Sequence, residues 1–234
     1  MQSLKSKHTI KVIIPAFNEE NAVGKVIGEI PRELIDEVIV IDNGSTDDTF
    51  QQALAAGATA LRQPVKGYGL ACLTGIEYLK QSSKKTDIVV FIDGDYSDYP
   101  SQLPSLIEPI IENRADFVIG SRALGQKEKA SMTPQQIFGN WLATRLMRLF
   151  FGAQFTDLGP FRAINFDKLI QLGMTDRNYG WTIEMQIKAH KAGLLSIEVP
   201  VNYRKRIGIS KVSGTVKGTL MAGYKIIWTI FKYL

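Results

Sequence analysis

A mainly parallel α/β sheet covered on both faces is the architecture that three features of the sequence predict. Short apolar runs rich in Val and Ile alternate with segments whose apolar residues recur at helical spacing, as in successive strand-helix units. The strongest runs, "TIKVIIPAF", "IDEVIVID" and "DIVVFID", are nearly continuous in apolar residues, as strands buried on both faces are. With 45% hydrophobic and 22% charged residues over 234 positions, the chain is ordinary globular material, large enough for a sizeable core in one domain, with or without an appendage.

The elements follow in order. Thr9 to Phe17 is a β-rich run, and "ENAVGKVIGEIPREL" then spaces its apolar residues helically. The second buried strand ends at Asp42. "TDDTFQQALAAG" reads as a helix closed by Gly57, followed by a short strand in "ATALRQ" and a helix in "GLACLTGIEYLKQSS". The third strong strand ends at Asp93, after which "PSQLPSLIEPIIENR" and "DFVIGSR" supply another helix and strand. Past Arg122 the pattern changes. Residues 123–136 are polar and hold Gly125, Lys127, Glu128, Lys129 and Pro134, the composition of a mobile loop. A long amphipathic segment, "QQIFGNWLATRLMRLFFG", precedes the mixed stretch "TDLGPFRAINFDKLIQLGM". A helix in "TIEMQIKAHKAG", a strand in "IEVPVNY", a basic loop "RKRIGISKVSG" and an apolar terminal segment complete the chain, which has no internal repeat.

Charge and composition narrow the function classes. The net charge of +5 is modest, and Lys and Arg are not interleaved with aromatics in one stripe, so anionic small molecules or a membrane surface fit better than nucleic acid. Cys72 is the only cysteine and lies in an apolar-flanked run, which excludes an intrachain disulfide framework and a Cys-based zinc site and predicts a buried thiol. His8 and His190 stand without metal-ligand partners at useful spacing. The first apolar run is short and meets Pro15, so neither an export signal nor a spanning helix is evident and residence in the cytoplasm is expected.

Ligands of such sheets collect at the carboxyl ends of the strands, and here those ends carry chemistry. Pro15 to Glu19 follow the first run, Asp42 ends the second, and Asp93 and Asp95 follow the third. In "VVFIDGDYSD" a buried strand runs straight into carboxylates, two of them separated only by Gly94. Carboxylates cluster at a large electrostatic cost unless a cation neutralises them. Two Asp flanking a Gly at a strand end would hold a hard divalent ion, Mg2+ or Mn2+, on oxygen, leaving its other positions to phosphate oxygens and water.

Taken in order, "IIPAFNEE", "VIVIDNGSTDDT", "GYGLACLTGI", "VVFIDGDYSD" and "VIGSR" resemble the inverting glycosyltransferases of family 2, which have the Rossmann-like GT-A fold. Through "TDLGPFRAI", "YGWTIEMQIKA" and the later "GISK", the chain is most similar to polyprenyl-phosphate sugar transferases of the dolichol-phosphate mannose synthase type. The resemblance implies a catalytic domain over 1–212, with a donor half at 1–122 and an acceptor half at 123–212, and an amphipathic helix at 213–234. It implies that Pro15, Ala16, Phe17 and Glu19 line a base and ribose pocket, with Asp42 accepting from the base or ribose and Gly44 and Lys66 completing it. Asp93, Gly94 and Asp95 would form the D-x-D metal site, Asp95 being the better ligand, and Arg122 would face the sugar or phosphates. Asp157, pairing with Arg162, and Trp181 would organise the acceptor side. Two departures are visible: Asn43 stands where many relatives have a second acid, and Gln135 and Gln136 stand where the synthase type has a basic residue.

Displacing a nucleoside diphosphate from an anomeric carbon develops negative charge on the leaving group, which a metal stabilises. The loop "YRKRIGISK" would add Arg204, Lys205, Arg206, Ser210 and Lys211 around that anion. Glu184 sits where relatives that glycosylate hydroxyls have a general base, worth ~10²–10⁴ in rate. A phosphate acceptor, with a second pKa of about 6, needs none, so catalytic base, acceptor-orienting group and structural acid are all open to Glu184. The segment from Val216 to Leu234 sets Lys217, Lys225 and Lys232 along one stripe and Leu220, Met221, Tyr224, Ile227, Trp228, Phe231 and Leu234 on the other side. That pattern suits a helix lying in a membrane interface or packed on protein, including a second subunit of a homodimer, and Lys225 argues against spanning. Three functions therefore compete. One is transfer of a UDP- or GDP-linked hexose to a polyprenyl phosphate by a peripheral enzyme at the cytoplasmic membrane face. The others are transfer to a hydroxyl with Glu184 as base, and a nucleotide-sugar-binding scaffold without turnover.

Overall fold

The computed structural model describes residues 8–208 and 216–234. β1 (Ile10–Ala16), β2 (Glu37–Asp42), β3 (Thr59–Arg62), β4 (Ile88–Phe91), β5 (Phe117–Ser121), β6 (Arg162–Asn165) and β7 (Ser196–Pro200) form one sheet in the order β3-β2-β1-β4-β6-β5-β7. All pairings are parallel except those of β6, which runs antiparallel to both β4 and β5. β1, β4 and β5 are buried along their whole length, and this is why their sequences lack a polar alternation.

The two faces sort by residue parity, as the two-residue strand period requires. Val12, Ile14, Val40 and Val90 pack under α1 (Val23–Glu29), α2 (Thr49–Ala55) and α4 (Leu103–Ile111), meeting Val26, Ala53 and Leu106. Ile13, Ile39, Val89 and Phe91 pack under α3 (Tyr68–Gln81), α6 (Phe166–Leu172) and α7 (Trp181–Lys191), meeting Ile76, Leu169 and Trp181. Cys72 is a buried free thiol in this second layer, as its flanks predict. A smaller cluster through Met147, Ile183, Ile187 and Ile230 joins α7 to α5 (Pro134–Phe151) and α8 (Val216–Lys232). Because β1 lies between β2 and β4, the connections on either side of it diverge and a crevice opens at the carboxyl ends of β1 and β4.

Two features depart from the sequence expectation. β6 is only four residues inside a mixed stretch, and its reversed direction brings the preceding "TDLGPF" to the edge where β4 and β5 end. The loop after Arg122, read from composition as mobile, is instead bonded along the chain from Val201 to Lys205. Gln126 N–H donates to Asn202 Oδ1 at 3.1 Å, Tyr203 N–H to Gln126 O and Glu128 N–H to Tyr203 O, both at 2.9 Å. Gly125 is required for that approach, since a Cβ there would lie 1.9 Å from the Val201 carbonyl oxygen. The loop ends in a capping box: Thr133 Oγ1 accepts from Gln136 N–H, and Gln136 Oε1 accepts from Thr133 N–H. Among the described residues no helix is long and apolar enough to cross a membrane.

Candidate active site

The crevice holds a cavity of about 280 Å³ walled by three strand ends and two distant loops. The end of β1 contributes Pro15 and Ala16, and the turn after it Phe17 and Glu19; the turn after β2 contributes Asn43; the loop before α3 contributes Lys66 and Gly67, and α3 its first residue, Tyr68; and the turn after β4 contributes Asp93, Gly94 and Asp95. Lys66 places its ammonium 4.3 Å from the centre of the Phe17 ring. Asp42 and Gly44, expected in the same pocket, shape the turn behind it. Asp42 Oδ1 accepts from Ser45 N–H at 3.0 Å, and Gly44 takes a φ of 76° with the Pro64 carbonyl against it. Asn43 fastens the wall: its Nδ2 donates to Val65 O at 2.8 Å and Gln63 O at 3.3 Å, and its Oδ1 accepts from Gly67 N–H at 2.7 Å. An acid could not make the two donations, which accounts physically for the amide at this position.

Asn178 and Tyr179, which sequence reasoning missed, complete the wall. Their loop is docked on α3, where Leu70 N–H donates to Arg177 O at 2.9 Å and Gly69 N–H to Asn178 O at 3.3 Å. The available signal was "GYG": a Cβ on Gly67 would lie 2.3 Å from Arg177 O, and one on Gly69 2.1 Å from Asp176 O. The same loop is tied to α8, since Lys225 pairs with Asp176 at 2.9 Å.

The two aspartates face the cavity in different states of support. Burial, with Asp95 adding to it, pushes the Asp93 carboxyl up to about 6, and Tyr68 OH donates to its Oδ1 at 2.9 Å. Asp95 Oδ1 accepts from Ser97 N–H at 2.9 Å and Ser97 Oγ at 2.5 Å, while its Oδ2 meets Arg206 Nη1 at 3.0 Å. Behind them Asp98 is buried, and neither of its carboxylate oxygens has a hydrogen-bond partner among the described residues. Burial first, and the Asp93 charge second, hold that carboxyl well above the usual range. Such an all-oxygen set, with an electrostatic penalty already present at Asp93, fits a hard divalent cation that takes the remainder of its shell from ligand oxygens.

Beyond the aspartates the cleft opens into a larger cavity of about 920 Å³ between α5 and α8, sharing Tyr68, Asp93, Asp95, Tyr179 and Arg206 with the first. Its walls are mainly apolar, with Leu142, Leu146, Tyr224 and Ile227 among them, and Arg122, Lys205 and Arg206 gather at the shared end. Arg122 is held by Asp157, Nε to Oδ2 at 2.8 Å and Nη2 to Oδ1 at 2.7 Å, and lies over the Tyr203 ring. Burial opposes both charges. The Asp157 charge nevertheless raises the Arg122 guanidinium and Arg122 lowers the Asp157 carboxyl.

Several expected site residues lie elsewhere. Asp157 pairs with Arg122 and not with Arg162, whose guanidinium is buried and donates to the carbonyls of Leu158, Gly159 and Thr182. Trp181 is a core residue, edge-on to Phe91 at 5.9 Å. Arg204 pairs with Glu29 at 2.8 Å and stacks between Tyr96 and Tyr99, outside both cavities. Glu184 is 0% exposed, lines neither cavity, and accepts from Thr175 N–H, Thr175 Oγ1, Asp176 N–H and Tyr233 OH, with Lys188 at 2.9 Å. Burial works against its charge, but those donors outweigh burial and hold the carboxyl at about 2. In this arrangement its oxygens are taken up by donors of the fold and face neither cavity, which is the geometry of a structural acid. Ser210 and Lys211 lie outside the described residues, as does the Lys217 side chain.

A model of the family described as Glycosyl transferase family 2 matches residues 11–173. An uncharacterized glycosyltransferase of Mycobacterium tuberculosis is 32% identical over 216 residues, 91% of this chain and 94% of the relative. The undecaprenyl-phosphate mannosyltransferase of Micrococcus luteus is 28% identical over 222 residues, 89% of each chain. Among solved structures, glucosyl-3-phosphoglycerate synthase from Mycobacterium tuberculosis in complex with Mn2+, uridine diphosphate and glucosyl-3-phosphoglycerate aligns with a TM-score of 0.78 at 26% identity. That alignment covers 99% of this chain and 82% of the other.

Proposed function

We propose, from the premise that the chain belongs to glycosyl transferase family 2 and is a glycosyltransferase with the GT-A fold, that it moves a hexose from a nucleotide-diphosphate sugar to a polyprenyl phosphate at a membrane surface. The observation that carries this reading is the continuity of the two cavities. The small polar one suits a nucleotide, and the large apolar one meets it at Asp93, Asp95 and Arg206. A phosphate head at Arg122 and Arg206 would leave an isoprenoid tail along the groove between α5 and α8. The neighbouring synthase is solved with uridine diphosphate and Mn2+, which favours a UDP-hexose over a GDP-hexose and supports Mg2+ or Mn2+ as the ion held by Asp93 and Asp95. On this reading residues 1–122 supply most of the donor pocket, which Asn178, Tyr179 and Arg206 complete, and the acceptor groove is built from residues 123–212 together with Arg122 and α8.

The chemistry follows from these groups. The acceptor phosphate, anionic near neutral pH, directs an oxygen at the anomeric carbon; that bond forms as the bond to the diphosphate oxygen breaks, and the electron pair leaves with the diphosphate. The anomeric configuration inverts in this single displacement, and no proton has to be removed. That agrees with a Glu184 fixed in the fold. A divalent ion would neutralise the charge that develops on the leaving group. Among the described residues, Arg122, held by Asp157, Arg206 and Lys205 are the cations at the place where the two phosphates would meet.

Around the groove, α5 and α8 expose Phe138, Trp141, Tyr224, Trp228 and Phe231, and Arg145 and Lys232 are exposed on the same helices. Aromatic and basic side chains together suit the headgroup level of a bilayer, the depth at which a lipid phosphate lies, and favour a peripheral enzyme. Incubation of the full chain with Mn2+ and labelled UDP-glucose or GDP-mannose tests the reading, offering undecaprenyl phosphate in vesicles against 3-phosphoglycerate and free sugars. Label extracted with the lipid supports it. Label that stays on 3-phosphoglycerate or a sugar overturns the acceptor assignment.

A further inference from the structure

We propose that Arg206 is the resident counter-ion of the metal site: it holds Asp95 and Glu19 before ligands arrive, and transfers to the donor diphosphate when a divalent ion takes Asp95. The proposal rests on the reading of Asp93 and Asp95 as the metal pair. The Arg206 guanidinium spans two carboxylates of the cavity wall, Nη1 to Asp95 Oδ2 at 3.0 Å and Nη2 to Glu19 Oε1 at 2.6 Å. The other Asp95 oxygen already accepts two hydrogen bonds from Ser97. The oxygen that Arg206 holds is therefore the one a metal would take, and a divalent ion bonded there at about 2.0–2.6 Å would stand beside a fixed positive charge. Like charges that close, in a partly buried cleft, repel strongly.

The exchange needs only a side chain to move. On both sides of Arg206 the backbone is bonded to the segment carrying Asp95: Arg204 N–H donates to Ser97 O at 2.9 Å and Ile207 N–H to Asp95 O at 3.0 Å. Arg204 itself is clamped by Glu29 and two tyrosine rings. Arg206 lines both cavities, so a change of rotamer carries its charge from the acidic wall toward the place where diphosphate and acceptor phosphate would meet. Charge balance then makes the two ligands cooperative. Metal alone adds two positive charges beside Arg206, and the diphosphate of a nucleotide sugar alone adds two negative charges beside Glu19 and Asp95. The pair together adds none, and Arg206 has somewhere to go. Linkage requires each ligand to tighten the other by the same factor.

Full-length wild type, Arg206→Gln and Arg206→Lys are titrated with Mn2+ alone, read from the paramagnetic resonance signal of the free ion, and with UDP in the presence of Mn2+, read by calorimetry. Arg206→Gln is expected to bind Mn2+ alone about tenfold more tightly than wild type and UDP with Mn2+ about tenfold more weakly, each step equivalent to about 1.4 kcal/mol. Arg206→Lys keeps the charge and is expected to follow wild type with Mn2+ alone. Weaker nucleotide binding without a gain for Mn2+ alone would mean that Arg206 is only a donor ligand, and overturns the exchange. A gain for Mn2+ alone with unchanged nucleotide binding overturns the transfer to diphosphate. Neither titration contains an acceptor, so a wrong lipid assignment leaves both readable, whereas Mn2+ binding to none of the three proteins, even with UDP, removes the metal site and this proposal with it.

Discussion

Replacing Glu184 by Gln separates a structural acid from a catalytic one, and the two roles move different observables. Its carboxylate is held at about 2 in the fold against an ordinary value of 4.5. At about 1.4 kcal/mol per pH unit, that gap corresponds to about 3 kcal/mol of stability from the ionised form. Gln keeps one acceptor oxygen but sets an amide NH2 against the Asp176 N–H, which now donates at 2.7 Å, so most of that contribution is lost. In a chain of this size the melting temperature is expected to fall by about 6–12 °C. Because the folded-state value is depressed, the wild-type advantage is fully present above about pH 4.5 and disappears as the pH falls through about 2. The assay is calorimetric melting of both proteins at neutral pH, with initial transfer rates measured well below either transition. A variant that melts with wild type yet turns over ~10²-fold more slowly or worse would refute the reasoning and restore Glu184 as a base.

Three further substitutions probe the donor cleft, and a fourth, on α1, serves as a control. Asn43→Asp sets a carboxylate oxygen against the carbonyls of Val65 and Gln63; urea unfolding should show a loss of about 1–3 kcal/mol, and UDP binding should weaken as the wall carrying Lys66 and Gly67 loosens. Gly69→Ala drives a methyl to within 2.1 Å of Asp176 O and should weaken UDP binding by displacing Asn178 and Tyr179. Gly24→Ala, in open space on α1, should instead be neutral or stabilising by about 0.5–1 kcal/mol. Tyr68→Phe removes the hydrogen bond that favours ionised Asp93. Binding of Mn2+ with UDP-glucose, whose diphosphate has no group titrating in this range, should fall as the pH drops through about 6 in wild type, and at a higher pH in the variant, in titrations across about pH 5–8.

What could be read from the sequence was what depends on short range. The donor edge is written in continuous apolar runs that stop at Pro15, Asp42 and Asp93, from which the parallel α/β sheet follows, while the family and its GT-A fold come from the resemblance carried by the motifs at those stops. Pairings across long separations could not be read. Asp157 has Arg162 five residues away, yet pairs with Arg122, because antiparallel β6 turns the "TDLGPF" segment toward the end of β5 while Arg162 points into the core. Three consecutive basic residues gave no hint that Arg204 is clamped by Glu29 while Arg206 enters the cleft. The sequence leaves Glu184 open between base, acceptor-orienting group and structural acid. Its enclosure by Tyr233, 49 residues later, is a tertiary fact.

The one reversed strand also acts as a spacer. Neighbouring strands stand about 4.7–4.9 Å apart, so inserting β6 between β4 and β5 sets the acidic and the guanidinium ends of the cleft roughly two such steps apart. Its direction brings a loop from upstream, instead of the usual downstream one, to the working rim. Substituting Thr156 and Pro160, on either side of the Asp157 that holds Arg122, while keeping the buried Ala153, Leu158, Gly159 and Phe161, is therefore expected to retune what Arg122 meets, and no residue of that loop lines the nucleotide pocket.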